Sequence, residues 1–118
     1  MSEYTILHNP RCSKSRMTLA LLEEKGISPD IVLYLESTPT IHELAAIIEK
    51  LGISVRDLLR KGEQAYKDLK LKDLDLSNED LLAAMVSSPK LIERPIVIKG
   101  DSAVLGRPPE NVLALIDD

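Results

Sequence analysis

The chain carries one cysteine, Cys12, within a segment whose residue types suit thiol chemistry. The segment runs from His8 to Arg16 and surrounds the sulfur with three cations, Arg11, Lys14 and Arg16. A thiol acts as a nucleophile near neutral pH only when its anion is stabilised. Nearby cations and the amides of a helix N-terminus both favour that anion. The segment therefore predicts a reactive thiolate.

An isolated cysteine is more often a small buried hydrophobic residue. Around Cys12, however, Pro10, Ser13 and Ser15 are typical of a turn followed by the start of a helix. Cations on both sides contribute nothing to a cysteine that serves only for packing. These neighbours favour the nucleophile over the structural cysteine.

Length and composition indicate an ordinary globular protein. The 118 residues, 44% of them hydrophobic, fit a single domain over residues 1–118. No apolar run approaches the length of a membrane span, and the first residues lack the basic and apolar regions of a secretory signal. We therefore expect that the protein neither spans a membrane nor is exported.

Charge and cysteine content exclude several classes of partner and cofactor. A net charge of -4, with no Phe or Trp, argues against a nucleic-acid surface. One cysteine and two distant histidines, His8 and His42, do not make a metal site, and the glycines form no nucleotide-binding fingerprint, so no bound cofactor is expected. An unpaired reactive thiol is best preserved in a reducing compartment, which predicts the cytoplasm.

The N-terminal third predicts a βαβ unit. Residues Tyr4–His8 are rich in strand-forming types, and a helix follows from about Ser13 until Gly26 ends it. The continuous apolar run Ile31–Leu35 predicts a second strand, parallel to the first and buried on both faces. Cys12 then lies in the turn between strand and helix.

The middle of the chain predicts an all-helical insert at about residues 38–90. Helix starts and stops indicate helices after Thr40, over Val55–Lys61, over Glu63–Leu69 and over Leu81–Val86, with no strand between them. Arg60 falls on the second of these helices, where its spacing alone indicates only a solvated face.

The last third predicts a hairpin and a final helix. The segments Pro95–Lys99 and Ser102–Leu105 are separated by Gly100-Asp101, a good two-residue loop, and Pro108-Pro109 starts the helix. The predicted order is strand, helix, strand, helical insert, strand, strand, helix, an α/β fold.

Continued outward, the hairpin register places Arg94 opposite Arg107. Like charges on directly opposed residues are destabilising unless something negative lies between them, so an anion is one partner that would explain the pair. Alternatively, both side chains point into solvent or pair with acids such as Glu93.

His8 also allows two interpretations. It could tune the thiol or relay a proton, or it could be a hydrogen-bonded structural residue.

Five separated motifs resemble one family over nearly the whole chain. They are His8-Asn9-Pro10-x-Cys12-x-x-Ser15-Arg16, Leu33-Tyr34-Leu35-Glu36, Leu58-Leu59-Arg60, Glu93-Arg94-Pro95-Ile96-Val97 and Gly106-Arg107-Pro108-Pro109. In this order they resemble the glutaredoxin-coupled arsenate reductases, which act in arsenic detoxification. The resemblance implies a thioredoxin-like mixed sheet with a helical insert, and reduction of arsenate to arsenite with glutathione and glutaredoxin as partners.

The resemblance also implies roles for individual residues. Cys12 would be the nucleophile, and His8 and Ser15 would set its reactivity. The oxyanion would be held by the cations Arg60, Arg94, Arg107 and Arg16. Pro95 resembles the cis-proline that faces the thiol in thioredoxin-like folds. Positions 11, 13 and 14 are Arg, Ser and Lys where well-known members carry smaller or uncharged residues, and the extra cations could strengthen anion capture or shift the preferred oxyanion.

Two other functions remain compatible with the fold. Spx-type regulators resemble this chain but carry a CxxC switch and bind RNA polymerase, whereas Ser15 stands here at the second cysteine position. A general glutathione-linked thiol reductase needs only the cysteine, and the hairpin arginines argue against it.

Overall fold

The computed structural model describes residues 3–116. Residues 1, 2, 117 and 118 lie outside this range. The prediction that the chain has no secretory signal rests partly on Met1 and Ser2 and so concerns residues outside the described range. Contacts divide the chain into two compact units, Met1–Ser37 with Arg94–Asp118 and, separately, Thr38–Glu93. The single domain over residues 1–118 with an insert at about 38–90 stays a prediction.

The first unit contains four strands, two α-helices and one 3-10 helix among the described residues. They are β1 (Tyr4–Leu7), α1 (Ser13–Glu24), β2 (Asp30–Val32), β3 (Ile96–Lys99), β4 (Ser102–Leu105), the 3-10 helix Pro109–Val112 and α5 (Leu113–Ile116). The sheet order is β2-β1-β3-β4, with β1 parallel to β2 and antiparallel to β3. This mixed sheet confirms the predicted α/β fold and its thioredoxin-like architecture.

One face of the sheet packs against α1 and the C-terminal helices. Tyr4, Ile6 and Val97 from the strands meet Leu22 of α1 and Val112 in one buried cluster. The alternation of a strand points Tyr4 and Ile6 to the same face, and their burial removes a large apolar area from water. The core thereby fixes α1, and with it the turn that precedes it, against the central strands.

The hairpin forms as predicted. Lys99 pairs with Ser102 across the Gly100-Asp101 loop, so the register used in the sequence analysis is confirmed. Gly100 adopts a φ of +59°, a conformation that glycine reaches without the steric cost borne by other residues. The final helix covers the predicted residues, but its first part, Pro109–Val112, is a 3-10 helix and only Leu113–Ile116 is α-helical.

The prediction for the second strand was wrong in its burial. The parallel pairing of β2 with β1 is confirmed, but β2 is the edge of the sheet and covers only Asp30–Val32. Ile31 is 51% exposed and Tyr34 is fully buried, so the apolar run is half-buried. An edge strand has a neighbour on one side only, and here one face of the run also lies open to solvent.

The second unit is helical. Its elements are α2 (Ile41–Leu51), the 3-10 helix Val55–Leu58, α3 (Gln64–Asp68), α4 (Asn78–Ser87) and the 3-10 helix Pro89–Leu91. Thr40 and Glu43 form a reciprocal capping box at the start of α2, which Gly52 ends in the left-handed conformation. None of the helices within residues 3–116 has the length and apolar character needed to cross a membrane.

Arg60 does not lie on a helix, contrary to the sequence prediction. The 3-10 helix stops at Leu58, and Leu59 then forms an isolated antiparallel bridge with Ile92. The Arg60 amide donates to the Leu91 carbonyl at 2.8 Å. Pairing with a segment about thirty positions away outweighs the local tendency of the helix to continue.

Candidate active site

Cys12 lies at the junction of a tight turn and α1. Its amide donates to the carbonyl oxygen of Asn9 at 3.0 Å, which closes a β-turn with Pro10 in the second position. Its own carbonyl accepts from the Arg16 amide at 3.0 Å, so Cys12 is the N-cap residue of α1. The first amides of a helix have no partner within the helix. The turn therefore presents the cysteine to unpaired N–H groups.

The pKa of the Cys12 thiol is lowered, although burial by itself would raise it. Hydrogen bonds from the backbone amides of Ser15 and Lys14 to the sulfur favour the thiolate. The Arg94 side chain adds a hydrogen bond and its positive charge. The helix amides thus act as the sequence predicts. The contributing cation comes from the hairpin instead of the segment around the cysteine.

The hairpin brings its two arginines to the sulfur from the same end of the sheet. Leu7 pairs with Ile96, so the chain after β1 and the chain before β3 leave the sheet together. Arg107 Nη1 lies 4.0 Å from the sulfur of Cys12 and 3.4 Å from the carbonyl oxygen of Arg94. Arg94 and Arg107, which the register placed opposite each other, thus flank one thiol.

His8 and Ser15 form a buried pair beneath the turn. The Nδ1 atom of His8 lies 2.7 Å from the Ser15 hydroxyl, and that hydroxyl accepts the Asn9 amide at 3.0 Å. Ser15 is completely buried and His8 nearly so. The pair holds Asn9, whose carbonyl oxygen in turn accepts the Cys12 amide. Both residues therefore support the turn that carries the nucleophile.

The pKa of His8 is lowered, first because the ring is buried and second because the positive charge of Arg16 disfavours the imidazolium. Arg16 also donates to the Pro10 carbonyl oxygen at 2.9 Å. Its side chain therefore braces the turn and biases His8 toward the neutral form. Arg11, by contrast, is exposed, and only its backbone amide bonds within the turn, to Asn9 Oδ1 at 3.0 Å.

Arg60 belongs to the unit Thr38–Glu93. Its Nε atom lies 3.8 Å from Glu63 and 4.0 Å from Glu93, one of the acids considered as a partner for the hairpin arginines. Its Nη1 atom is buried and makes no hydrogen bond within residues 3–116. A buried donor without a partner is rare, and this atom has no acceptor among the described residues.

Sequence reasoning gave no role to three residues that shape the site: Asn9, Thr18 and Gly106. Asn9 before a proline is a recognisable turn signal, which could have indicated its role. The other two have no local signal. The Thr18 hydroxyl lies 2.8 Å from the Lys14 carbonyl oxygen and 3.2 Å from that of Gly106.

Nothing in the described geometry forms a metal centre. Among residues 3–116, no three His, Cys, Asp or Glu side chains are grouped so that they could hold a metal ion. What the first unit does assemble is a thiolate-stabilising turn with two guanidinium groups beside it. Such an arrangement can bind a small anion and attack it through sulfur.

Comparison with known proteins places the chain in a family. Residues 7–115 match the ArsC family. An arsenate reductase of Haemophilus influenzae is 54% identical over 112 residues, covering 94% of this chain and 97% of that protein. The uncharacterized protein YfgD of Escherichia coli K12 is 52% identical, with 94% of each chain covered.

A solved structure agrees with these relatives. The arsenate reductase from Vibrio cholerae superposes with a TM-score of 0.93 at 52% identity, covering 94% of this chain and 95% of that one. The match extends across both described units and all five motifs. The chain therefore belongs to the ArsC family, as its resemblance to the arsenate reductases implied.

Proposed function

We propose that this protein reduces arsenate to arsenite through the thiolate of Cys12. The observation that carries the proposal is the position of Cys12, whose pKa is lowered and whose sulfur lies 4.0 Å from Arg107. The relatives from Haemophilus influenzae and Vibrio cholerae, which are 54% and 52% identical to this chain, are named arsenate reductases. The placement of Cys12 beside Arg94 and Arg107 supports the roles of nucleophile and anion-binding groups in the proposed reaction.

Binding comes first in the proposed reaction. Arsenate is a tetrahedral anion, and the forked guanidinium groups of Arg94 and Arg107 can each donate two hydrogen bonds to such an oxyanion. The amides at the start of α1 offer further donors. Arg60, with its unpartnered Nη1 atom, stays a predicted third arginine.

The chemical step joins sulfur to arsenic. The Cys12 thiolate attacks As(V), and one arsenate oxygen leaves as water after taking up two protons, which gives an S–As(V) adduct. His8, with its lowered pKa, and Ser15 keep the turn in place during the attack. Arg94 and Arg107 stabilise the negative charge on the remaining oxygens.

A second thiol must complete the reduction. Because the chain has one cysteine, it cannot form an internal disulfide. Glutathione attacks the adduct, a Cys12–glutathione disulfide forms, and arsenic leaves as arsenite with the two electrons that the two sulfurs have lost. Glutaredoxin then takes the glutathione from Cys12 and restores the thiol. No tightly bound cofactor takes part, and the reducing cytoplasm is the proposed location.

A coupled assay tests the proposal. Arsenate, glutathione, glutaredoxin, glutathione reductase and NADPH are combined with the protein, and NADPH oxidation is followed. Arsenate-dependent oxidation is expected for the natural chain. Cys12→Ser should abolish it while leaving the circular dichroism spectrum unchanged, because a serine hydroxyl is nearly isosteric but far too weakly acidic.

Two other outcomes would point to other functions. Oxidation that needs a disulfide substrate but not arsenate would indicate a general glutathione-linked thiol reductase. Absence of turnover with any thiol, together with capture of RNA polymerase, would favour an Spx-like regulator. Arsenate turnover retained by Cys12→Ser would place the chemistry on another residue.

A further inference from the structure

The stabilised thiolate depends on two elements that approach Cys12 from different parts of the first unit. The amides of Lys14 and Ser15 belong to the first turn of α1, whereas Arg94 belongs to the end of the hairpin. For all three to reach one sulfur, the helix start and the hairpin end must be held at a fixed separation. A displacement of about 1 Å is enough to weaken such hydrogen bonds severely.

Thr18 joins these two elements. Its side chain is completely buried, and its hydroxyl lies 2.8 Å from the carbonyl oxygen of Lys14 and 3.2 Å from that of Gly106. Bonding from a threonine to the carbonyl four positions earlier is common in helices. The second acceptor is not part of the helix. It lies next to Arg107 in sequence and 88 positions from Thr18.

On the hairpin side, Gly106 is in close contact with both Pro95 and Thr18. The Gly106 amide donates to the Pro95 carbonyl oxygen at 2.9 Å, so Gly106 connects the strand ends that carry both arginines. A Cβ atom on Gly106 would lie 2.5 Å from the Thr18 Oγ1 and 2.8 Å from the Pro95 Cγ. The absence of a side chain at position 106 therefore allows the helix to touch the hairpin directly behind Arg94 and Arg107.

We propose that Thr18 is a positioning residue for the nucleophile. Its hydroxyl shares its one proton between the carbonyl oxygens of Lys14 and Gly106, which ties the first turn of α1 to the end of the hairpin and so keeps Arg94 within hydrogen-bonding reach of the Cys12 sulfur. Thr18 touches neither the sulfur nor an oxyanion, and it acts through the place it gives to Arg94. The inference concerns the thiolate alone and does not require arsenate to be the substrate.

The test separates the hydroxyl of Thr18 from its contribution to packing. Thr18→Val keeps the shape of the side chain and loses the donor, whereas Thr18→Ser keeps the donor and loses a buried methyl group. The rate of alkylation of Cys12 by iodoacetamide is measured against pH for each variant, and thermal unfolding is measured in parallel.

We expect Thr18→Val to move the inflection of the alkylation profile upward by about one pH unit, which is about a tenfold loss of reactivity below the inflection. Thr18→Ser should keep the natural inflection but unfold at a lower temperature, because a buried methyl is missing. If Thr18 served only for packing, Thr18→Ser would shift the alkylation inflection more than Thr18→Val. Thr18→Ala removes both the hydroxyl and the methyl group and should shift the alkylation inflection as Thr18→Val does.

The pathway through Arg94 is tested by a double variant. If Thr18 acts through Arg94, then Thr18→Val combined with Arg94→Gln should titrate at the same pH as Arg94→Gln alone. A natural profile in both Thr18→Val and Thr18→Ala would overturn the inference, as would additive shifts in the double variant. Because alkylation needs no arsenate, failure of arsenate reduction and failure of this inference are distinguishable.

Discussion

The Nη1 atom of Arg107 lies 4.0 Å from the Sγ atom of Cys12, although 95 positions separate the two residues in the chain. Its guanidinium is held by the carbonyl oxygen of Arg94 at 3.4 Å. Arg94 itself lowers the pKa of the thiol. One arginine thus stabilises the thiolate while the other lies beside the sulfur, where an oxyanion would enter. These two roles can be separated by experiment.

Alkylation of Cys12 should show a pH inflection below the ordinary thiol value of about 8.5. The reactive species is the thiolate, so the rate rises as pH increases through the lowered pKa and is constant above it. Arg94→Gln should move the inflection upward by about one pH unit, because a stabilising charge and hydrogen bond are lost.

Arg11→Gln is the matched control for that measurement. Arg11 is adjacent to Cys12 in sequence, but its side chain is exposed, and the turn uses only its backbone amide. The control should therefore keep the natural inflection. An equal shift in both variants would mean that general positive charge, and not the placement of Arg94, lowers the pKa of Cys12.

Replacing either hairpin arginine by lysine should impair arsenate reduction while keeping the charge. Lysine is a point charge and cannot reproduce the forked hydrogen bonds of a guanidinium. Loss of one charged hydrogen bond costs about 1.5 to 3 kcal/mol, so kcat/KM for arsenate should fall roughly ten- to a hundredfold in Arg94→Lys and Arg107→Lys.

The same assay with Arg60→Lys tests the third predicted arginine. Arg11→Lys serves again as the control and should leave kcat/KM unchanged. Natural kinetics in both hairpin variants would show that the arginine pair does not bind the substrate. In that case the general thiol reductase becomes the better explanation of the site.

The stability of the protein should fall as the pH drops below about 6.5. The pKa of His8 is lowered in the folded state, so between that value and the unfolded value of about 6.5 the unfolded chain binds more protons. The contribution of neutral His8 is therefore fully present above about 6.5 and is lost as the pH falls toward the folded pKa. Urea unfolding at pH 7.5 and pH 5 measures this loss.

His8→Asn should reduce the difference between the two pH values, because asparagine keeps a polar atom near Ser15 but does not titrate. His42→Asn is the control, since His42 is exposed at the start of α2. If His8→Asn and the natural chain lose stability equally, groups other than His8 dominate the acid response.

Gly106→Ala should destabilise the fold by about 1 to 3 kcal/mol, the usual range for overpacking a tight contact. The added Cβ would lie 2.5 Å from the Thr18 Oγ1. Gly62→Ala is the matched control, because a Cβ there meets no atom within 4 Å. Equal free energies of unfolding for the two variants, measured in urea, would contradict the close contact between α1 and the hairpin.

The hairpin was predictable because its signals are local. Two strand-like segments and a Gly-Asp loop were enough to pair Lys99 with Ser102, and the position of Arg94 opposite Arg107 follows from that register. The capped starts of α2 and α4 were predictable for the same reason, since each capping box involves residues three apart.

The errors arose where distant parts of the chain meet. The burial of Ile31 depends on whether another element covers its face of the sheet, and the local pattern does not show this. The helix before Arg60 ends early because Leu59 pairs with Ile92. The roles of Thr18 and Gly106 depend on the approach of α1 to the hairpin, which the local sequence does not show.

The register of the ladder between β1 and β3 determines whether Arg94 can reach the sulfur of Cys12. Only four residue pairs define this ladder, from Tyr4 with Lys99 to Leu7 with Ile96. A slip of one residue would carry Arg94 about 3.3 Å along the strand and turn its side chain to the other face of the sheet. A misaligned molecule would lose the hydrogen bond and charge of Arg94 and keep only the stabilisation by the amides of Ser15 and Lys14. The full lowering of the pKa of Cys12 therefore requires the sheet to be assembled in register.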